Sequence, residues 1–136
     1  MNAREEETEL RLDFRKIARV AAACEGVIPV AVQNADTGEV ILVAYTNRTA
    51  FRKSMQTRRL VLWSTTRREL WEKGATSGET FALVEARVNC EQNSLLYKVR
   101  PARGGICHAR NARGAPRNCF YRRIDPATGA LEHLDP

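Results

Sequence analysis

The spacing of apolar residues predicts a helix followed by a β-hairpin in the first third of the chain. Apolar side chains from Leu10 to Ala21 recur at a loosely helical period, and three consecutive glutamates before them suit a first helical turn. We therefore predict a helix over 5–24 that stops at Gly26. The stretch VIPVAVQNA, the turn signal DTG and the stretch EVILVAYT then predict two strands joined as a hairpin.

The middle of the chain predicts a second helix and several further strands. Asn47 is a suitable N-cap for a helix over 48–57, with Ala50, Phe51 and Met55 facing inward. The stretches LVLWS, FALVEARVN and SLLYKVRP are typical of strands. TTRRELWEKGATSGET has little apolar periodicity and predicts an irregular or hairpin region, while PATGALEHLDP predicts an extended or partly disordered tail.

This order of elements predicts one α+β domain with a mainly antiparallel β-sheet, an N-terminal helix and one further helix. A chain of 136 residues is the size of a single domain. We divide it into an N-terminal helix (1–25), a central domain (26–124) and a C-terminal tail (125–136).

Composition and charge restrict the functional classes without choosing among them. The chain is 43% hydrophobic and 28% charged, which excludes disorder of the whole chain. A net charge of +6 suits anionic partners such as phosphorylated metabolites, nucleic acid or acidic lipid. There is no apolar run of membrane-spanning length, and the charged N-terminus lacks the apolar segment of a signal peptide, so a cytoplasmic location is expected.

Four cysteines raise the question of a metal site: Cys24, Cys90, Cys107 and Cys119. In a reducing cytosol they are expected to be thiols or metal ligands rather than disulfides. Their spacing contains no zinc-finger pair, and scattered cysteines are commonly small buried apolar residues. Cys24, near the end of the first predicted helix, is expected to be such a buried thiol.

The stretch GGICHARNARGAPRNC favours a metal for the other three cysteines. Cys107 and Cys119 lie on one loop, and Cys90 ends a neighbouring strand. Three thiolates would leave the fourth position of a zinc ion open for water, which is the arrangement of a catalytic site. His108 is then a candidate proton carrier, although an ordinary loop histidine is an equal alternative.

A second stretch, WSTTRRELWEKGATSG, has the composition of a phosphate site. It combines arginine and lysine with hydroxyl side chains and glycines, but it does not fit the P-loop pattern. A solvated basic hairpin is the alternative. Trp63 and Trp71 are candidates for stacking on a base, or for packing in the core.

Taken together, four stretches resemble the phosphoribosyl-AMP cyclohydrolase family of histidine biosynthesis over about residues 26–123. They are IPVAVQNADTGEVILVAYTN, LWSTTRRELWEKGATSG, VEARVNCEQNSLLYKV and GGICHARNARGAPRNCFYR. The resemblance implies a compact, mostly antiparallel α+β fold in an intertwined homodimer. It further implies a zinc ion (Zn²⁺) at the dimer interface, held by cysteines of both subunits, and water attack at C6 of the adenine ring that breaks the N1–C6 bond.

The resemblance also assigns site residues in this chain. The zinc ligands would be Cys90, Cys107 and Cys119, and His108 would be a general acid or base. The substrate-binding residues would be Trp63, Ser64, Arg67, Lys73, Thr76 and Ser77. The expected partners are a phosphorylated nucleotide or related heterocycle and a second copy of the chain, with no nucleic acid and no membrane.

Three departures from the family pattern bear on the second metal and the substrate. The family has an acidic triad around the first cysteine, to which magnesium (Mg²⁺) binding is attributed, whereas this chain has Asn89, Glu91 and Asn93. One carboxylate of three predicts weaker Mg²⁺ binding. Thr65 stands where the family commonly has arginine. The cysteine loop is longer than usual, and three arginines on it could bind anions or reshape the pocket: Arg110, Arg113 and Arg117.

Three functions are therefore weighed. The first is hydrolysis of phosphoribosyl-AMP; the second is hydrolysis of another N-heterocycle by a divergent paralogue in a specialised-metabolite pathway. The third is a structural zinc module that binds nucleic acid, which would favour a closed four-ligand site and aromatic residues on a basic face. The signature of zinc-dependent base deaminases is absent from the sequence.

Overall fold

A computed structural model describes residues 3–24, 26–72, 80–102, 110–115 and 117–136. The helices are α1 (Ala3–Glu6), α2 (Lys16–Ala23) and α3 (Arg48–Thr57). The strands are β1 (Ile28–Asn34), β2 (Val40–Thr46), β3 (Val61–Ser64), β4 (Glu69–Glu72), β5 (Phe81–Val88), β6 (Leu95–Pro101), β7 (Arg122–Ile124) and β8 (Leu131–His133). Within these residues no helix has the length and apolarity needed to cross a membrane.

The predicted α+β class and mainly antiparallel sheet are confirmed. Six strands form one sheet in the order β4-β3-β2-β1-β6-β5, and all neighbours are antiparallel except the parallel pair β1–β6. The sheet curls, because the start of β5 bonds to the segment that leads into β3. The Leu60 amide donates to the Phe81 carbonyl and the Leu83 amide to the Arg58 carbonyl, both at 2.9 Å.

The core lies on the inner face of this curled sheet. Alternate residues are buried in β1, β5 and β6, as the two-residue period of a strand requires. The largest buried side chains are Tyr97, Phe81, Leu60, Leu62 and Ile41, each at most 1% exposed. Burial in this core raises the pKa of the Tyr97 hydroxyl.

Helix α3 covers one side of the core, as the sequence predicted. The side chain of Asn47 accepts a hydrogen bond from the Ala50 amide at 2.9 Å, which satisfies a donor of the first turn. Ala50 is buried and Met55 packs against the core. The inward position predicted for Phe51 is wrong: this ring is 36% exposed and lines a surface cavity.

The single N-terminal helix predicted over 5–24 is wrong, because the chain between α1 and α2 is not helical. The carbonyl of Thr8 accepts a hydrogen bond from the Leu131 amide at 2.7 Å, so β8 takes an acceptor that a continuous helix would use. The Asp13 carboxylate accepts from the Arg15 amide at 3.0 Å and closes a local turn before α2 begins. Gly26, with a φ of +68°, follows α2 as predicted.

Two predicted hairpins are present. Between β1 and β2, Asn34 Oδ1 accepts from the amides of Asp36 and Thr37, and Gly38 adopts a φ of +78°. Strands β3 and β4 form the second hairpin. Residues 73–79 of the stretch TTRRELWEKGATSGET lie outside the described residues.

The tail is more ordered than the sequence predicted. Instead of an extended or partly disordered segment, β8 pairs with β7 through Leu131, Glu132 and His133. The Pro136 carbonyl accepts a hydrogen bond from the Ala112 amide at 3.1 Å. This bond connects the C-terminal residue to the long cysteine loop.

Candidate metal and substrate site

Cys90 lies at one end of the curled sheet. It is exposed on the turn between β5 and β6, where Val88 pairs with Leu95 and Leu95 in turn pairs with Val30 near the start of β1. The thiol is therefore presented at the Ile28 end of β1, outside the hydrophobic core.

A cavity of about 500 Å³ opens beside this turn. It is lined by Val88, Gln92 and Leu95 and by the start of α3 with Arg48. The amides of a helix N-terminus and a guanidinium both favour negative charge. The cavity is thus suited to an anionic ligand next to Cys90.

Cys119 lies at the opposite end of the sheet. Its amide donates to the Ile41 carbonyl at 2.9 Å, and Ile41 belongs to the end of β2 that pairs with the end of β1 near Gln33. The side chain is exposed in a groove of about 240 Å³, which Leu10, Leu12 and Phe120 also line.

These two thiols are too far apart to bind one zinc ion within a single chain. Cys90 lies at the Ile28 end of β1, and Cys119 lies near the opposite end of that strand, beside Ile41. Strand β1 spans Ile28–Asn34, and at about 3.3 Å per residue the separation along it is on the order of 20 Å. Zinc–sulfur bonds are about 2.3 Å long. Accordingly, the described part of the chain contains no group of three His, Cys, Asp or Glu side chains that could hold a metal. Cys107 and His108 lie outside it.

The residues around Cys90 do not fit a magnesium site. The side-chain amide of Asn89 donates to Asn93 Oδ1 at 2.7 Å, and the side-chain amide of Asn93 donates to Glu91 Oε2 at 3.3 Å. Mg²⁺ prefers carboxylate oxygens in octahedral geometry. Here only Glu91 is a carboxylate, and N–H donors face the oxygens that would bind the ion.

Three of the predicted substrate-binding residues lie on the β3–β4 hairpin. Trp63 is half-buried opposite Leu70, and its indole Nε1 is buried without a hydrogen-bond partner among the described residues. Ser64 Oγ accepts from the Arg67 amide at 3.2 Å and so shapes the turn. The Arg67 side chain is exposed, with Glu69 Oε1 at 3.5 Å. The other three, Lys73, Thr76 and Ser77, lie outside the described residues.

Cys24 and Trp71 have structural positions. The Cys24 thiol is half-buried rather than fully buried, and Sγ donates to the Thr65 carbonyl at 3.8 Å. This contact links the end of α2 to the β3–β4 turn. Trp71 packs against the core, so the packing alternative holds for this tryptophan.

Arg117 does not bind anions in the way its sequence position suggested. It is 2% exposed, and its guanidinium donates to Glu6 Oε1 at 2.7 Å and to the Asp135 carbonyl at 2.8 Å. It also stacks 4.4 Å above the Tyr121 ring. Its hydrogen bond to Glu6, with a smaller contribution from its charge, lowers the pKa of that carboxyl. Arg110 likewise donates to the Gly114 carbonyl of its own loop.

No signal in the sequence predicted the cluster of side chains that surrounds Arg117. The Tyr121 hydroxyl donates to the Glu5 carbonyl, His133 Nε2 contacts the Glu6 carbonyl, and Arg122 donates to the Glu7 carbonyl, at 2.6 to 2.8 Å. Carbonyls at a helix C-terminus lack partners within the helix, and these three side chains supply them for α1. The cluster thereby anchors the segment that carries Cys119.

Several known proteins are similar to this chain. The family model described as phosphoribosyl-AMP cyclohydrolase matches residues 42–121, which include all three candidate zinc ligands. The phosphoribosyl-AMP cyclohydrolase of Hyphomonas neptunium is 40% identical over 91% of this chain and 84% of its own length. That of Halobacterium salinarum is 37% identical over 96% of both chains.

Bifunctional relatives are matched over a smaller share of their length. The histidine biosynthesis bifunctional protein HisIE of Aquifex aeolicus is 39% identical over 74% of this chain, and the match spans 47% of that protein. None of these three relatives is named for another heterocycle, so they do not favour the divergent-paralogue hypothesis. The family match and the identity over most of the chain show that this protein belongs to the phosphoribosyl-AMP cyclohydrolase family.

Proposed function

We propose that this protein is a zinc-dependent phosphoribosyl-AMP cyclohydrolase that opens the adenine ring at the N1–C6 bond. The observation that carries the proposal is the presence of Cys90, Cys107 and Cys119 within the family-matched region. Thiolates are strong zinc ligands, and three of them leave a position open, as a catalytic zinc requires.

The separation of Cys90 from Cys119 supports a site shared between two copies of the chain. In a two-fold dimer, Cys90 of one copy would meet Cys119 of the other. The surroundings of Cys119 suit such an interface, because Leu12 and Phe120 line the same groove and are both more than half exposed. Apolar side chains of this size are typical of the buried centre of an obligate interface.

Within such a site the chain's own residues would bind and orient the nucleotide. A bound zinc ion would supply the Lewis acidity that activates water for attack at C6. His108, next to a ligand, would transfer the proton that the leaving N1 requires. The half-buried ring of Trp63 would stack on the adenine, and Arg48 at the start of α3 favours the phosphate.

The direct test is turnover of phosphoribosyl-AMP by the purified, zinc-loaded protein. We expect the absorbance change of ring opening, in proportion to bound zinc, and its loss on zinc removal with recovery on zinc addition. A correctly folded, zinc-loaded protein that leaves phosphoribosyl-AMP intact would contradict the proposed substrate. Turnover that is unaffected by complete zinc removal would contradict the metal.

A further inference from the structure

The turn between β5 and β6 has a hydrogen-bond pattern that determines the orientation of each of its side-chain amides. Asn89 Oδ1 accepts from the backbone amides of Asn93 and Ser94, both at 2.9 Å. A nitrogen cannot accept these bonds, so Asn89 must direct Oδ1 into the turn and Nδ2 outward.

This orientation also determines how the side chains of Asn93 and Glu91 are bonded. Asn89 Nδ2 meets Asn93 at 2.7 Å, so Asn93 must present Oδ1 to it. The Nδ2 of Asn93 is then left to donate to Glu91 Oε2 at 3.3 Å. A directed chain of donors thus runs from Asn89 through Asn93 to the carboxylate of Glu91.

Carboxylates at positions 89 and 93 could not form this chain. Two carboxylates at the distance between Asn89 and Asn93 repel each other unless a proton or a cation lies between them. The N–H group of Asn89 supplies the positive end of a dipole at that point. Both lone pairs of Asn89 Oδ1 are engaged, so the side chains at 89, 91 and 93 offer a divalent cation one carboxylate and one remaining lone pair on Asn93 Oδ1.

We propose that the turn carrying Cys90 holds its shape without a divalent cation, and that catalysis requires no magnesium at this turn. The amides of Asn89 and Asn93 replace the ion that an acidic turn would need. The statement about catalysis rests on the proposed cyclohydrolase function, whereas the statement about the turn does not.

The experiment compares thermal unfolding and calorimetric MgCl₂ titration of the zinc-loaded protein with those of Asn89→Asp/Asn93→Asp. Ionic strength is held constant with KCl. For the wild type we expect no saturable heat and no rise in Tm with Mg²⁺. The double variant, with three carboxylates in one turn, should unfold at a lower temperature without Mg²⁺ and regain stability as the ion saturates the turn.

Asn118→Asp is the matched control. Asn118 donates to Glu39 Oε1 at 2.6 Å, so this change also places a new carboxylate against a glutamate on the exposed surface. It creates a pair rather than a triad, and we expect no saturable Mg²⁺ response from it.

Saturable Mg²⁺ binding by the wild type that Glu91→Gln removes would overturn the proposal. The wild-type titration decides this even where the double variant fails to fold. Turnover of phosphoribosyl-AMP should be the same with and without MgCl₂ once zinc is replenished after chelation, and an absolute requirement for MgCl₂ would also overturn it. A protein that does not turn over phosphoribosyl-AMP at all fails the proposed function instead, while the titration still decides the claim about the turn.

Discussion

Cys90→Ser and Cys119→Ser should each reduce zinc binding and phosphoribosyl-AMP turnover to background while leaving the fold intact. Both side chains are exposed and neither belongs to the hydrophobic core, so their replacement removes no core packing. A serine hydroxyl is not ionised at neutral pH and is a poor substitute for a thiolate ligand. Zinc content, far-UV circular dichroism and turnover of the purified variants measure the three effects.

Cys24→Ser is the control for these two variants. It makes the same chemical change at a half-buried thiol that donates to the Thr65 carbonyl. Its zinc content and turnover should equal those of the wild type. Full activity in either Cys90→Ser or Cys119→Ser would show that the proposed ligand set is wrong.

Arg117→Ala should lower Tm by on the order of 5 °C, because it removes a buried guanidinium together with its ion pair to the half-exposed Glu6. The change removes a guanidinium that is 2% exposed and that contacts Glu6, Asp135 and the Tyr121 ring together. Since Cys119 lies two residues away on the same segment, zinc affinity should fall as well. Thermal unfolding and competition with a zinc chelator measure the two effects.

Arg123→Ala provides the comparison. Arg123 also pairs with a glutamate, Glu132, at 2.7 Å, but both side chains are more than half exposed. Exposed pairs contribute little to stability, so Tm should change only slightly. Equal losses of Tm in the two variants would mean that the cluster that surrounds Arg117 does not hold the termini together.

The sequence predicted those parts of the fold that depend on local signals. The Asn47 cap, the turn from Asn34 to Gly38 and the alternation of the β-strands are each determined by residues close together in the chain. The turn from Asn89 to Asn93 is also determined by neighbouring residues, and the sequence alone shows that amides stand at two of its three acidic positions. The amide orientations became clear only from the backbone donors at Asn93 and Ser94.

Contacts between distant parts of the chain explain what the sequence did not predict. Glu6 and Arg117 are 111 positions apart, and Thr8 bonds to Leu131. The apolar periodicity near residue 7 therefore does not predict the end of α1. The buried guanidinium of Arg117 looks in sequence like any basic loop residue. The positions of Cys90 and Cys119 at opposite ends of the sheet likewise follow from topology rather than from spacing.

A heterodimer of the two cysteine variants tests the shared site most directly. Cys90→Ser and Cys119→Ser chains, carrying different affinity tags, are co-expressed and the mixed dimer is purified through both tags. If each zinc is held by Cys90 of one copy and Cys119 of the other, one of the two sites keeps both thiols. We then expect about half of the wild-type turnover and zinc content per dimer. If both ligands come from the same chain, neither site is complete, and a mixed dimer as inactive as its parents would contradict the shared site.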